Sequence, residues 1–249
     1  MAGHSKWANT KHRKARADAA KGKIFTKISK EIMVAARFGG GDINNNFRLR
    51  LAVQKGREAN MPTDNIQRAI QKGAGGLDGV DYEEIIYEGY GPAGVAVLLE
   101  ILTDNRNRTA GEVRHIFSRH GGSLGESGCV AWMFRRRGYL VLSAEEHDEE
   151  QLMLLSLEAG AEDFAAEEDT FEIYTSPEDF EHVKEKMEAE GIKFTTAEVT
   201  MIPENYLEIS DSDEAGKAMG LMDALLDHDD VQNAYSNFDI SSELAGALG

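Results

Sequence analysis

The stretches GYLVLSAEEHDEEQLMLLSLEAG (residues 138–160), AEDFAAEEDTFEIYTSPEDFEHVKEKMEAEG (161–191) and IKFTTAEVTMIP (192–203) follow one another directly and state one cadence twice. Residues 139–142 predict a strand, a helix begins after Ser143 with Glu146 completing a capping box, Gly160 stops it, and 163–167 return as a strand. Phe171 and Ile173 then mark a strand, and Ser176 and Pro177 open a helix whose buried side is Phe180, Val183 and Met187. Gly191 ends that helix, and 194–202 form the last strand. Two βαβ passages in series define a ferredoxin-like sandwich, two helices laid on a four-stranded antiparallel sheet.

Working outward, 82–87 predict a strand and 95–102 an almost unbroken apolar run of the central-strand type, joined through 89–94. Thr103, Asp104 or Asn105 caps a helix reaching about His120, with Val113, Ile116 and Phe117 inward, and 129–134 give another strand. The tail supplies a helix over 212–226, with Met219, Met222 and Leu226 inward, and a strand over 231–238. Alone it is too small to enclose a core. Joined to 77–137 it completes a second four-stranded, two-helix unit, which makes 138–203 an insertion; the alternative is a loosely packed tail.

Residues 1–76 read as helical. Phe25, Ile28, Ile32, Ala35 and Ala36 recur at three- and four-residue spacing before Gly39, Gly40 and Gly41. Phe47, Leu51 and Val53 mark the apolar side of a second helix, which ends before Pro62. Asp64 caps a third, with Ile66, Ala69 and Ile70 inward and Gly73 as its stop, and Gly73 to Gly79 serve as a linker. The expected fold class is α+β: an N-terminal basic helical domain (1–76), a discontinuous α/β domain (77–137 plus 204–249) and an inserted acidic ferredoxin-like βαββαβ domain (138–203).

The 249 residues hold 27 Lys and Arg against 44 Asp and Glu, a net charge of −17, but the charge is segregated. Residues 1–76 carry +11, 77–138 carry −2 and 139–249 carry −26. A +11 head on a −26 body behaves as two electrostatic objects, so the acidic mean does not exclude polyanion binding. No apolar run approaches the ~20 residues of a membrane span, and Lys and Arg recurring from Lys6 to Lys30 leave no signal-peptide core; a cytoplasmic location is expected. With Cys129 as the single cysteine and no paired histidines, neither a disulfide framework, a metal site nor a cofactor is expected.

Several motifs match a pattern and fail its context. Gly89, Gly91 and Gly94 spell G-x-G-x-x-G, but Pro92 and a following strand make a hairpin turn of it. Gly121, Ser123 and Gly125 spell G-x-S-x-G with a helix before and a strand after, the reverse of a nucleophile elbow. His120 and Glu126 nearby leave a Ser123 hydrolase as a weighed alternative. Asp211 and Asp213 begin a calcium loop that Ala215 and Met222 break, and Cys129 in its expected apolar strand reads as a buried thiol.

Lys6, Lys11, Arg13, Lys14, Arg16, Lys21, Lys23, Lys27 and Lys30 form the densest basic tract, suited to phosphate. Trp7 among them either stacks on a base or packs on the helical core. A second cluster comprises Arg106 and Arg108, with Arg114 and Arg119 read also as surface salt bridges, joined by Arg135, Arg136 and Arg137 at a strand end. Arg137-Gly138-Tyr139 resembles the start of an RNA-recognition strand, with Val141 where a second aromatic is required. No helix pair forms a helix-turn-helix, so folded RNA suits these residues slightly better than a DNA groove.

MAGHSKWAN (1–9), KHRKA (11–15), NMPTDNI (60–66), YEGYGPAG (87–94), TDNRNRT (103–109) and GGSLG (121–125) resemble segments of the YebC/PmpR family, over essentially the whole chain. The resemblance implies a cytoplasmic three-domain protein without known enzymatic activity, described as a DNA-binding transcriptional regulator. Some members are described instead as ribosome-associated translation factors, including mitochondrial translational activators. It places nucleic-acid contacts broadly on residues 6–23 and 106–108. The expectation is thus a non-enzymatic nucleic-acid-binding regulator. The alternatives are a ribosome- or rRNA-associated translation factor, and an adaptor that engages basic proteins through 138–203.

Overall fold

Among the described residues three helices build the head: α1 (Lys21–Gly39), α2 (Phe47–Glu58) and α3 (Thr63–Ala74). The computed structural model describes residues 21–75, 82–145, 147–167, 169–240 and 244. Ile28, Ile32, Ala35 and Ala36 of α1 meet Leu49, Ala52 and Val53 of α2 and Ile66, Ala69 and Ile70 of α3 in one apolar cluster. Gly73 permits this approach, since a Cβ there would overlap the Met33 carbonyl oxygen and lie 2.9 Å from Ala36 Cβ. Two details differ from the sequence reading. Phe47 is exposed rather than on the apolar side, and Asp64 sits inside the first turn of α3 while Pro62 occupies the cap. The cap the sequence reading missed is Asn46, whose side chain accepts from the Leu49 amide at 3.0 Å.

A four-stranded antiparallel sheet follows in the order β3-β1-β2-β9, made of β1 (Glu83–Tyr90), β2 (Ala96–Thr103), β3 (Ser123–Leu124) and β9 (Val231–Ser236). Its helices are α4 (Arg106–Arg119), capped by Asn105, and α7 (Ser212–Leu226), capped by Asp211. That cap explains the acidic start of the abandoned calcium pattern. Apart from Glu100, β2 is buried throughout, as its apolar run requires. The Gly89–Gly94 motif closes the β1–β2 hairpin, with the Gly91 amide on the Val95 carbonyl at 2.7 Å.

The strand expected at 129–134 is absent. Glu88, a buried carboxylate on β1, accepts from the Gly128 amide at 2.6 Å and the Val130 amide at 2.8 Å, which wraps 125–130 into a loop. Cys129 lies in this loop, partly buried, rather than in an apolar strand. The edge strand is instead Ser123–Leu124, paired with Gly89 and Tyr90. In α7 the buried residues are Leu221 and Leu225 with Met219, not Met222 and Leu226.

The ferredoxin-like passage forms a second sheet, ordered β5-β6-β4-β7, from β4 (Phe134–Ser143), β5 (Asp163–Ala166), β6 (Thr170–Thr175) and β7 (Thr196–Pro203). Leu140, Leu142, Phe171 and Ile173 pack with α5 (Glu149–Ala159) and α6 (Phe180–Ala189). Helix α5 starts later than the capping box at Ser143 implied, because Asp148 caps it through the Gln151 amide at 3.0 Å. On the opposite face, Tyr139 and Tyr174 donate to buried Glu172 at 2.8 and 2.5 Å. A short parallel pair, β8 (Leu207–Glu208) with β10 (Phe238–Asp239), completes this part.

The described residues fall into two compact units, 21–130 with 211–236 and 131–210 with 237 onward. These cuts lie outside the 138–203 block on both sides. The reasons are local: β4 already begins at Phe134, and β8 holds 207–208 to β10.

Candidate nucleic-acid interface

Lys6, Trp7, Lys11, Arg13, Lys14 and Arg16 lie outside the described residues. Lys21 opens α1. Two residues later a ladder begins: Lys23, Lys27 and Lys30 recur at four and three residues, which puts them on one side of the helix. They meet the C-terminal end of α7. Lys27 Nζ donates to the Leu226 carbonyl at 2.6 Å, Lys23 Nζ to the Asp227 carbonyl at 3.3 Å and Lys30 Nζ to the Asp229 carbonyl at 3.1 Å. Cations are favoured there because the last carbonyls of a helix have no partner within it and carry its negative dipole end. Burial pushes the Lys27 ammonium down to about 8, against the pull of Asp229 and Asp227.

Asp230 is the hub of this contact. Its buried carboxylate accepts from Lys30 Nζ at 2.8 Å, Arg108 Nη2 at 2.7 Å, Thr109 Oγ1 at 2.8 Å and Thr103 Oγ1 at 3.2 Å. Burial acts to raise its pKa, but the hydrogen bonds from Lys30, Arg108 and Thr109 outweigh it and hold the group well below the usual carboxylate range. The Asp230 amide donates to His228 Nδ1 at 3.1 Å, which leaves Nε2 to face Glu112 at 2.9 Å. A cleft of about 560 Å³ opens beside these groups, lined by Lys23, Lys30, Arg108, Glu112, His228 and Asp230 among others. Ligand atoms of Glu112, His228 and Asp230 lie within 4.8 Å of one another. Asp230 already serves Lys30 and Arg108, so the set has the wrong partners for a metal.

Four of the nominated cations are therefore engaged by carboxylates: Lys23 with Asp227 at 2.8 Å, Lys30 with Asp230 at 2.8 Å, Arg108 with Asp230 and with Asp104 at 2.9 Å, and Arg135 with Glu204. Arg106 is exposed at the start of α4, its carbonyl accepting from Tyr87 OH at 3.2 Å. In the second unit Arg135, Arg136 and Arg137 lie within β4 rather than at a strand end, opposite Ile202, Met201 and Thr200 of β7. Arg136 is exposed, and Arg137 stands 6.0 Å from the Tyr174 ring centroid. Tyr139 is buried and bonded to Glu172, so it offers no stacking surface and the likeness to an RNA-recognition strand ends there.

Ser123 makes no hydrogen bond to a histidine among the described residues, and His120 Nδ1 lies 3.4 Å from the Ile116 carbonyl. Ser123 stands on an edge strand rather than a strand-to-helix elbow. The sequence reading passed over Phe38 and assigned Phe47 to the core, yet they are 71% and 55% exposed at the α1–α2 corner. The signal was present in the pairs Arg37-Phe38 and Phe47-Arg48, aromatic and basic residues side by side.

This architecture, a basic helical head followed by two sheet-bearing parts, is that of a recognised protein class. Residues 5–76 match the family described as the TACO1/YebC protein N-terminal domain, and 82–238 match the TACO1/YebC second and third domain. A probable transcriptional regulatory protein of Halothermothrix orenii is 58% identical over 246 residues, covering 98% of this chain and 97% of the relative. Another of that name from Natranaerobius thermophilus is 60% identical over 247 residues, covering 98% of each. The crystal structure of a conserved hypothetical protein, Aq1575, from Aquifex aeolicus superposes with a TM-score of 0.79 at 48% identity, covering 92% of this chain and 94% of that one. The chain belongs to the TACO1/YebC family. No helix among the described residues is long and apolar enough to cross a membrane.

Proposed function

We propose that the chain is a non-enzymatic, cytoplasmic nucleic-acid-binding regulator of gene expression. The observation that carries this reading is the segregation of charge, +11 over residues 1–76 against −26 over 139–249. The names of the relatives, probable transcriptional regulatory protein, support it. Phosphate is met by Lys6, Lys11, Arg13, Lys14, Arg16 and Lys21, with Trp7 beside them, and by exposed Arg106 and Arg136. Lys23, Arg108 and Arg135 contribute less because carboxylates already hold them. The chain works as three parts, 1–76, 77–137 plus 204–249, and 138–203.

A competition between intact ribosomes and duplex DNA at about 150 mM salt, where non-specific phosphate binding is already weakened, tests the target. Preference for one DNA sequence supports a transcriptional regulator; preference for ribosomes makes the chain a translation factor. Neutralising Lys11, Arg13 and Lys14 together flattens the dependence of log K on log salt, and an unchanged slope removes those residues from the interface.

A second reading, an adaptor for basic proteins, is favoured by α5. Met153, Leu154 and Leu157 are exposed on this helix beside Glu150 and Glu158, an apolar stripe with an acidic rim. A basic amphipathic peptide is expected to bind the full chain and to lose affinity for Leu154→Asp/Leu157→Asp. Equal binding to both chains removes the reading.

A further inference from the structure

The α1–α2 corner is closed by side-chain hydrogen bonds. Asn46 Nδ2 donates to the Ala35 and Gly40 carbonyls, both at 2.8 Å, while its Oδ1 caps α2. Asp42 gathers the rest of the turn, accepting from the Asn46 and Asn45 amides at its carbonyl and from the Asn44 amide and Asn45 Nδ2 at its carboxylate. Gly39 lies so close to Asn46 that a Cβ at 39 would stand 2.7 Å from Asn46 Cγ. Phe38 and Phe47 are the residues that flank this contact, one closing α1 and one opening α2.

Both rings face solvent although an apolar cluster lies within the same three helices. Phe38 keeps 71% and Phe47 55% of its surface in water, so each forgoes only part of the about 1.5–3 kcal/mol that full burial is worth. Their surroundings are basic. Arg50 Nη1 is held by the Ile43 and Asn44 carbonyls at 3.3 and 3.2 Å, with its guanidinium 5.6 Å from the Phe47 ring centroid. Arg37 adjoins Phe38, and Arg48 adjoins Phe47 and pairs with Glu84. Over residues 21–75 eleven Lys and Arg face four Asp and Glu. Aromatic faces beside fixed cations on a positive surface are the means by which single-stranded nucleic acid is held without sequence preference, bases on rings and backbone on charge.

We infer that Phe38 and Phe47, with Arg50, form a stacking site for unpaired nucleobases on the head. The inference rests on the nucleic-acid reading above and specifies its target, unpaired nucleotides rather than a duplex groove. Stacking is indifferent to the sugar, so the site accepts single-stranded RNA or DNA. The phosphates are left to Arg50 and the basic tract.

The test uses the full chain, a labelled 12-residue oligothymidylate and an abasic 12-mer with the same phosphates. The natural chain binds the base-bearing strand more tightly. Phe38→Ala and Phe47→Ala each weaken that binding about 5- to 100-fold, with little change in binding to the abasic strand and an unaltered salt slope. The rings are exposed, so a unchanged urea midpoint is expected and shows that the variants are folded. Equal, salt-dependent binding of both strands by the natural chain overturns stacking while leaving phosphate binding intact. Binding of neither strand overturns the stacking site, while the nucleic-acid reading stands or falls separately on the competition between ribosomes and duplex DNA. If Phe38→Ala/Phe47→Ala abolishes self-association seen by sedimentation and leaves oligothymidylate binding unchanged, the corner is a contact between copies and the inference fails.

Discussion

Replacing Asp230 by Asn tests whether the lysine ladder is a structural lock. The residue is 3% exposed, and its carboxylate receives two cations and two hydroxyls. Removing one member of a buried ion pair typically costs about 3–5 kcal/mol, because the abandoned charge stays desolvated. Arg108 mitigates the loss: its side chain is 44% exposed and retains Asp104. Lys30, with a side chain only 13% exposed, keeps only the neutral Asp229 carbonyl, and the Asn amide would aim a donor at donors. The expected loss is about 3 kcal/mol, near the lower end of that range. Urea unfolding followed by two probes measures it, since a chain of this size requires coincident transitions before one free energy is meaningful. Hydrogen exchange should locate the loss in α1 and the 226–230 turn. The pH dependence has a fixed sign. The pKa is lowered on folding from 3.8, so the stabilisation is complete above about pH 4 and is lost as pH falls below it. The gap between the natural chain and Asp230→Asn is therefore constant above pH 4 and narrows in acid. A loss below about 1 kcal/mol, or a gap that widens in acid, refutes the lock.

Lys27, held near 8 instead of 10.5 by burial, imposes its penalty below pH 8 and sheds it as pH rises to 10.5. Relative to Lys27→Met, the natural chain should gain up to about 3 kcal/mol over that window, and a flat difference would refute the burial cause. Glu88→Ala should lower stability by about 3 kcal/mol and expose the Gly128 and Val130 amides to exchange; retained protection would show that the loop is held by something else. Gly138→Ala forces a Cβ onto Thr175 Oγ1 and to 2.8 Å from Phe180 Cδ2, with an expected loss of about 1–3 kcal/mol by thermal melting. A neutral result would mean that β4 can shift relative to α6.

The ferredoxin-like block was legible because its signals are local and agree with one another: alternating strands, Gly160 and Gly191 at helix ends, and Phe180, Val183 and Met187 at helical spacing. The role of 211–236 was legible by elimination, since a helix and a strand cannot enclose a core alone. What escaped depends on partners remote in sequence. Nothing local says that Glu88 will organise 125–130, so the apolar look of Cys129 and Val130 suggested a strand. Phe47 looked like core because periodicity reports spacing and not which side faces inward. Lys23 and Arg108 were nominated for phosphate by charge alone; the carboxylates that hold them, Asp227 and Asp230, stand more than a hundred residues away in the chain.

The pairing of β2 with β9 sets the order in which the molecule can be made. Residues 97–101 find their partners only at 231–236, after the whole ferredoxin-like block has been synthesised. At roughly 5–20 residues per second, one edge of the most apolar strand stays unpaired for somewhere between about 6 and 26 seconds on the translating ribosome. An exposed apolar edge is a template for pairing with other chains. Premature termination anywhere in the inserted block would release a head and three strands of a four-stranded sheet with that edge bare, so a truncated product should aggregate or be degraded rather than persist as a smaller working protein.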